Sequence, residues 1–381
     1  METFYVTGVE KSPFAALFRG NLRGDSDAMF DQINARLDSA PDDLGKRVQL
    51  FLMKDPSPIA PDQVRLVLEE ARPVFILISR EAAQTQQANT LAYVFGVGAF
   101  AATCFTSFAY SIGTFALNAE FFQKITEGDV AVAGKALPVA AGLVLLQLLH
   151  ELGHIIAAKQ NGQKLGPPVF IPSLQVGTFG AITPFLGFPK SRKAMFDVAT
   201  AGPLLAIIAS VASLAAGLVM TGEFLASPLG AFPVVPAALF HSSMLIGSIM
   251  SAALPSVMAQ ALSTPIPIHP LVIIGITGII VNALNLMPIG RLDGGRAATA
   301  VFGRRTAAVV GTVTLLLQAV SSLFNNYSLQ LFWGLVVLLF QRVQDIPAQD
   351  EVTGVDEKRT TLMLVLALFS ILALLPFPTL G

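Results

Sequence analysis

The sequence predicts a polytopic α-helical membrane protein with about seven or eight transmembrane helices, preceded by a small soluble α+β domain. Three observations lead there. Of the 381 residues, 53% are hydrophobic and 13% are charged, about half the charged fraction usual for a soluble chain. Several apolar runs reach the roughly 18–20 residues needed to cross a bilayer. And charge is segregated: residues 1–85 hold 23 of the 49 Lys, Arg, Asp and Glu side chains. The boundary is therefore placed at 85, with a soluble domain over 1–85 and a membrane domain over 86–381.

In the first domain, FYV (4–6), VQLFLM (48–53) and VFILIS (74–79) are short β-rich runs. Amphipathic stretches lie near 26–39 and 62–71, and DDLGK and KDPSPIAPD mark breaks. A polar linker, REAAQTQQANT, follows. Spans are then expected near 90–117, 136–159, 196–220, 270–290, 306–324, 328–341 and 361–378, while 231–253 reads as either an eighth span or an interfacial helix because prolines interrupt it. The stretch 167–189, PPVFIPSLQVGTFGAITPFLGFP, is apolar but rich in Pro and Gly. Such backbone cannot face lipid, so a re-entrant loop or hairpin covered by protein is predicted.

Basic residues cluster before the first span (Arg72, Arg80), after the second (Lys159, Lys164, Lys190, Arg192, Lys193) and after the fourth (Arg291, Arg296, Arg304, Arg305). All fall on one side if 231–253 does not cross, which favours seven spans with the soluble domain on the positive side. A net charge of −1, with no basic tract carrying interleaved aromatics, gives no reason to expect a nucleic-acid partner. The single cysteine, Cys104, excludes a disulfide framework or a thiolate metal site within one chain. METFYVTGVEKSPF reads as neither a signal nor a transit peptide.

The chemistry concentrates in QLLHELGHIIAAK, 147–159. His150 and His154 are i and i+4 on a helix, so both imidazoles lie on one face and can hold one ion. Glu151, beside the first, suits a general base on an activated water. Ionisable groups in an apolar helix are costly and mark function by default. Zinc suits the nitrogen ligands, as one catalytic ion with an open position. The best third ligand is Asp293 in VNALNLMPIGRLDGGR, 281–296, where Pro288 breaks the preceding span. A plain helix cap is the alternative for that aspartate.

These residues resemble the site-2 proteases, intramembrane zinc metalloproteases that pair HExxH on one helix with N-x-x-P-x-x-x-x-D-G on another. Here the second motif is Asn285, Pro288, Asp293 and Gly294. The resemblance implies His150, His154 and Asp293 as zinc ligands, Glu151 as base, and Asn285 in positioning substrate or stabilising the oxyanion. The AGP at 201–203 is similar to the family's middle core helix. FRGNLRG (18–24) and PAQDEVTGVDEKR (347–359) resemble the EGY branch, ethylene-dependent gravitropism-deficient and yellow-green. Alone, Gly20 and Asn21 also fit a turn, with Arg23 in a surface pair. The branch's long N-terminal extension and plastid address are not part of this sequence. A plastid thylakoid location therefore follows from the resemblance, and a cyanobacterial membrane suits the same residues.

The expected function is intramembrane endoproteolysis of transmembrane protein substrates within the lipid bilayer, as in regulated intramembrane proteolysis. A catalytically silent binding or chaperone-like membrane module is the alternative, and the complete set of four core residues argues against it. A metal transporter would line several spans with ionisable groups, and 90–117, 306–324 and 361–378 carry no charged or histidine residue. His241, His269 and Trp333 read as packing, headgroup or interface residues.

Overall fold

A computed structural model describes residues 4–55, 72–83, 89–224, 232–324 and 328–378. The expected amphipathic stretch at 62–71 lies outside the described residues. The first domain is a four-stranded antiparallel sheet, ordered β1-β2-β4-β3, built from β1 (Phe4–Lys11), β2 (Ala15–Leu22), β3 (Val48–Lys54) and β4 (Pro73–Ser79). Helix α1 (Ser26–Asp38) starts at Asp25, whose carboxylate accepts the Ala28 N–H. It covers one sheet face, and Phe30, Leu50, Leu52 and Phe75 close the core.

Strand β2 corrects the turn reading of Gly20 and Asn21. Asn21 stands opposite Tyr5 and Gly20 opposite Val6 in the ladder, so the GNLR stretch ends a strand. Arg23 lies just beyond it, its guanidinium 5.4 Å from the Tyr5 ring centroid. The small polar residues that suit a turn are here carried by pairing with β1, beyond the end of the β2–β4 ladder at Arg19.

Among the described residues, three helices are long and apolar enough to cross a membrane, by length and composition: Thr90–Gly113, Val130–Gln160 and Arg192–Thr221. The first is α2. A short α3 (Ala119–Thr126) precedes the second, whose α-helical part is α4 (Leu137–Gln160), and the third is the body of α5 (Arg192–Phe224). Helix α4 divides its two faces sharply. Leu145, Leu148, Leu152 and Ile155 are exposed, while Leu143, Leu146, Gln147, His150, Glu151 and His154 are buried. With 3.6 residues per turn, the two sets occupy opposite sides of one cylinder, one suited to lipid and one to protein.

Between α4 and α5 the Pro/Gly-rich stretch forms an antiparallel hairpin, β5 (Val169–Ser173) and β6 (Gly177–Ile182), packed on α2. The segment 231–253 is not one helix. It holds β7 (Val234–Pro236), a single turn at Ala238–His241, and α6 (Met244–Ala253), while β7 pairs with β8 (Pro265–Pro267). Ten residues reach about 15 Å, half of a hydrocarbon core of about 30 Å, so α6 does not cross by itself. Pro233 and Pro236 explain the break, because each removes a backbone donor and disfavours helix at the residue before it.

Helix α7 (Pro270–Asn285) runs through the middle of the bundle and is buried along almost its whole length, packed mainly on α5. A short α8 (Asp293–Phe302), then α9 (Arg304–Phe324), α10 (Ser328–Phe340) and α11 (Glu357–Leu374) complete the chain. Trp333 is fully buried in α10 against Val281, Leu284 and Ile289, a packing residue.

The connector between α10 and α11 joins the two domains. The Leu52 N–H donates to the Gln349 carbonyl (2.7 Å) and the Glu351 N–H donates to the Leu52 carbonyl (2.9 Å), so the β3 edge is extended by the connector. Asp27 pairs with Lys193 at 2.6 Å, and the Ser26 and Thr353 hydroxyls bond at 2.8 Å.

Candidate metal centre

Helices α4, α5, α7 and α8 converge on one buried polar cluster. His150, Glu151, His154, Asp293 and Asn285 are each 8% exposed or less. His150 Nε2 lies 2.9 Å from His154 Nε2 and 3.1 Å from Asp293 Oδ2, and His154 Nε2 lies 3.4 Å from Asp293 Oδ1.

The other ring nitrogens determine what these three groups can bind. His154 Nδ1 lies 2.7 Å from the Val198 carbonyl, which only accepts, so Nδ1 carries the proton. His150 Nδ1 lies 2.9 Å from Asn282 Oδ1, and the Asn282 amide is oriented because its NH₂ donates to the Gly278 carbonyl at 2.8 Å. These tautomers, assigned from their partners, turn a lone pair on each Nε2 toward the Asp293 carboxylate. Three acceptors then face one another with no donor among them, an arrangement suited to a bound cation. Tetrahedral zinc with ligands at about 2.0–2.1 Å sets ligand atoms about 3.3–3.4 Å apart. The observed separations are at most a few tenths of an ångström shorter, so the donor set fits such an ion.

Asp293 reaches the cluster because α7 ends at Asn285 and α8 begins at Asp293 itself. Its side chain does not cap α8, whose N-cap residue is Leu292 with no side-chain bond. A carboxylate at a helix N-terminus is also favoured by the macrodipole. The AGP motif brings α5 close. A Cβ on Gly202 would lie 2.5 Å from His154 Nε2, and one on Gly153 would lie 2.4 Å from the Ala201 carbonyl. Glycines at these two positions let α4 and α5 approach backbone to backbone beside His154.

Glu151 also fits a three-residue ion cluster with the two histidines, its ligand atoms lying within 4.8 Å of theirs. The two oxygens of Asp293 meet both Nε2 atoms directly. Glu151 Oε2 is already bonded to the Thr183 hydroxyl at 2.6 Å, while its buried Oε1 has no hydrogen-bond partner. That leaves a carboxylate held by one oxygen and free at the other.

Asn285 sits one helical turn from Asn282. Its Nδ2 donates to the Phe179 carbonyl of β6 (3.2 Å) and to the Val281 carbonyl (2.9 Å). Both amide hydrogens are thereby used, so the side chain ties the hairpin to α7 and has no donor left for an oxyanion. Of the remaining histidines, His241 Nδ1 lies 3.2 Å from the Ala237 carbonyl and its ring meets Phe377 edge-on, whereas His269 caps α7 through the Leu271 N–H. Neither approaches the cluster. Sequence reading missed Asn282, Thr183 and the Val198 carbonyl. Asn282 alone had a usable signal, a polar residue three positions before Asn285 in an apolar helix.

The geometry defines an apolar helical body around a buried cluster able to hold a metal ion. The profile of Peptidase family M50 matches residues 138–324, which include His150, Glu151, His154 and Asp293, and the EGY3 middle domain matches residues 1–85. The chain is 32% identical over 378 residues to the probable zinc metalloprotease EGY2, chloroplastic, of Arabidopsis thaliana, covering 99% of this chain and 63% of that protein. It is 32% identical over 391 residues to the probable zinc metalloprotease EGY1, chloroplastic, of the same plant, covering 98% and 69%. The probable zinc metallopeptidase EGY3, chloroplastic, of Arabidopsis thaliana is 29% identical over 382 residues, covering 98% and 63%. The chain belongs to peptidase family M50, the site-2 protease family. It spans about two thirds of the length of these relatives. No solved structure matches it.

Proposed function

We propose that the protein is an intramembrane zinc endopeptidase that cleaves transmembrane or membrane-proximal segments of other membrane proteins, in a chloroplast membrane such as the thylakoid. One observation carries this reading. Three lone-pair donors converge beside a carboxylate with one free oxygen, on the protein-facing side of a helix whose other side is apolar and exposed.

His150, His154 and Asp293 would hold the zinc, which would polarise the scissile carbonyl and lower the pKa of an attacking water to about 7. Glu151 Oε1 takes a proton from that water as its oxygen forms the bond to the carbonyl carbon. The same proton then passes to the leaving amide nitrogen as the C–N bond breaks. Thr183 keeps the other oxygen of Glu151 occupied throughout.

A substrate helix is hydrogen-bonded to itself and resists attack until it unwinds. Among the described residues, each strand of the β5–β6 hairpin pairs only with the other, so an opened substrate strand can add to it. Asn285 then serves substrate positioning by anchoring β6. The topology that goes with this reading is seven crossings, with residues 1–85 as a soluble domain on the positively charged side of 86–381.

The test uses the full chain purified into liposomes, with a panel of transmembrane peptides and Glu151→Gln beside wild type. Cleavage by wild type, and its loss in a variant that keeps its zinc, is the expected result. A zinc-loaded wild type that cuts no peptide, nor any protein of a chloroplast membrane extract, would leave a binding module in place of a protease.

A further inference from the structure

Glu151 is held from outside the helix that carries it, and the chain of contacts behind it runs to the connector. Thr183 donates its hydroxyl to Glu151 Oε2 at 2.6 Å. Its own carbonyl accepts from Arg296 Nη2 at 2.9 Å. Arg296, buried at 5% exposure, lies with its guanidinium carbon 4.4 Å from the Phe185 ring centroid and pairs with Asp345, Nε to Oδ2 at 2.7 Å and Nη2 to the same oxygen at 2.6 Å. Asp345 belongs to the connector, and its other oxygen accepts the Ile346 N–H at 2.8 Å.

We infer that Thr183 and Arg296 are positioning residues for Glu151, with Asp345 as the counter-ion that sets Arg296. The inference rests on Glu151 acting as the general base. Thr183 is constrained three ways. Pro184 follows it and disfavours helical backbone there. Its β-branched side chain has few χ1 rotamers. Arg296 fixes its carbonyl. A hydroxyl held so tightly orients the carboxylate, so that Oε1 is the oxygen presented to the reacting water. Arg296 stands three residues after Asp293 on α8, so one helical turn sets both the third metal ligand and, through Thr183, the base. Relative placement of base and ion is then built into a single rigid element. A lysine cannot replace this arginine, because it has no planar fork to span a carboxylate and a carbonyl at once.

The experiment measures kcat and KM for peptide cleavage in liposomes by wild type, Thr183→Val, Thr183→Ser, Arg296→Lys and the Thr183→Val/Arg296→Lys double variant. Zinc content and thermal midpoint are recorded for each. Thr183→Val keeps shape and removes the hydroxyl, so kcat falls about 10- to 100-fold with KM and zinc content unchanged. Thr183→Ser restores most of kcat. The double variant loses no more than the worse single one, because both act on one group. Wild-type kcat in Thr183→Val, or a failure of serine to rescue, overturns the inference. So does a loss of kcat matched by a loss of zinc, which would make the contact structural. The outcomes separate from those of the protease reading, because that reading fails only if zinc-loaded wild type does not cut.

Discussion

Two polar clusters, one buried and one partly buried, lie close together in this protein, and they are built on opposite principles. The seam at the connector gathers Arg192, Arg296 and Arg304 with Asp345, Asp350 and Glu351. There positive and negative side chains are matched. Arg296 pairs with Asp345 and Arg304 with Glu351, Arg192 donates to the Ala300 and Val301 carbonyls, and Asp350 accepts the Val352 and Thr353 N–H groups. The centre holds two imidazole lone pairs and two carboxylates with no cation among the side chains. A buried charge left without a partner costs far more than a paired one returns. The seam is balanced in side-chain charge and structural, although Asp350 Oδ2, like Glu151 Oε1, has no hydrogen-bond partner; the centre instead sets acceptor against acceptor, which suits a bound ion.

The difference can be broken at several points. The largest effect comes from the centre: His154→Ala should lose zinc and activity together, with turnover lower by at least ~10³-fold, a product of lost metal and lost proton transfer. Peptide cleavage beside elemental analysis checks it. Next is Gly202→Ala. Its new methyl meets His154 Nε2 at 2.5 Å, so zinc affinity should fall about 10- to 100-fold while the fold survives, read by competition with a fluorescent chelator.

The seam should answer in stability instead. Arg304→Ala leaves Glu351 buried beside an empty site, costing about 1–3 kcal/mol in thermal or denaturant unfolding with one zinc per folded chain retained. The smallest effect is in pH. Burial, the dominant cause, holds the Glu351 carboxyl above its ordinary value of 4.5, against Arg304 and the Ala348 N–H. A folded pKa above the unfolded one means this carboxyl's contribution to stability is fully present below pH 4.5 and is lost as pH rises through the folded value. Glu351→Gln should flatten that decline, measured as thermal midpoint against pH, and leave zinc binding unchanged.

Part of this was open to reading from residues alone. The spacing of His150 and His154 fixes them on one face of any helix, and the apolar run before them fixes its depth. Asp293 stands out because Pro288 ends its helix and two glycines follow. Local pattern likewise gives β1, β3, β4 and α1. It fails at β2, where Gly20 and Asn21 carry turn chemistry and only pairing with β1 makes them extended. It was also ambiguous at 231–253, where hydropathy counts residues and prolines decide continuity. The parts that Thr183, Arg296 and the Val198 carbonyl play at the centre left no signal, because each acts across a separation of 32 residues or more that only the fold closes.

The comparison of the two clusters turns on which atoms require the cation. The direct measurement is zinc stoichiometry, by inductively coupled plasma mass spectrometry on purified, buffer-exchanged chain, for wild type, Asp293→Asn, Glu151→Gln and Arg304→Ala. About one zinc per chain is expected in wild type, Glu151→Gln and Arg304→Ala, with strong loss in Asp293→Asn, as for any four-coordinate site deprived of a protein ligand. Retention in Asp293→Asn together with loss in Glu151→Gln would contradict it, moving the third ligand to Glu151 and removing the base.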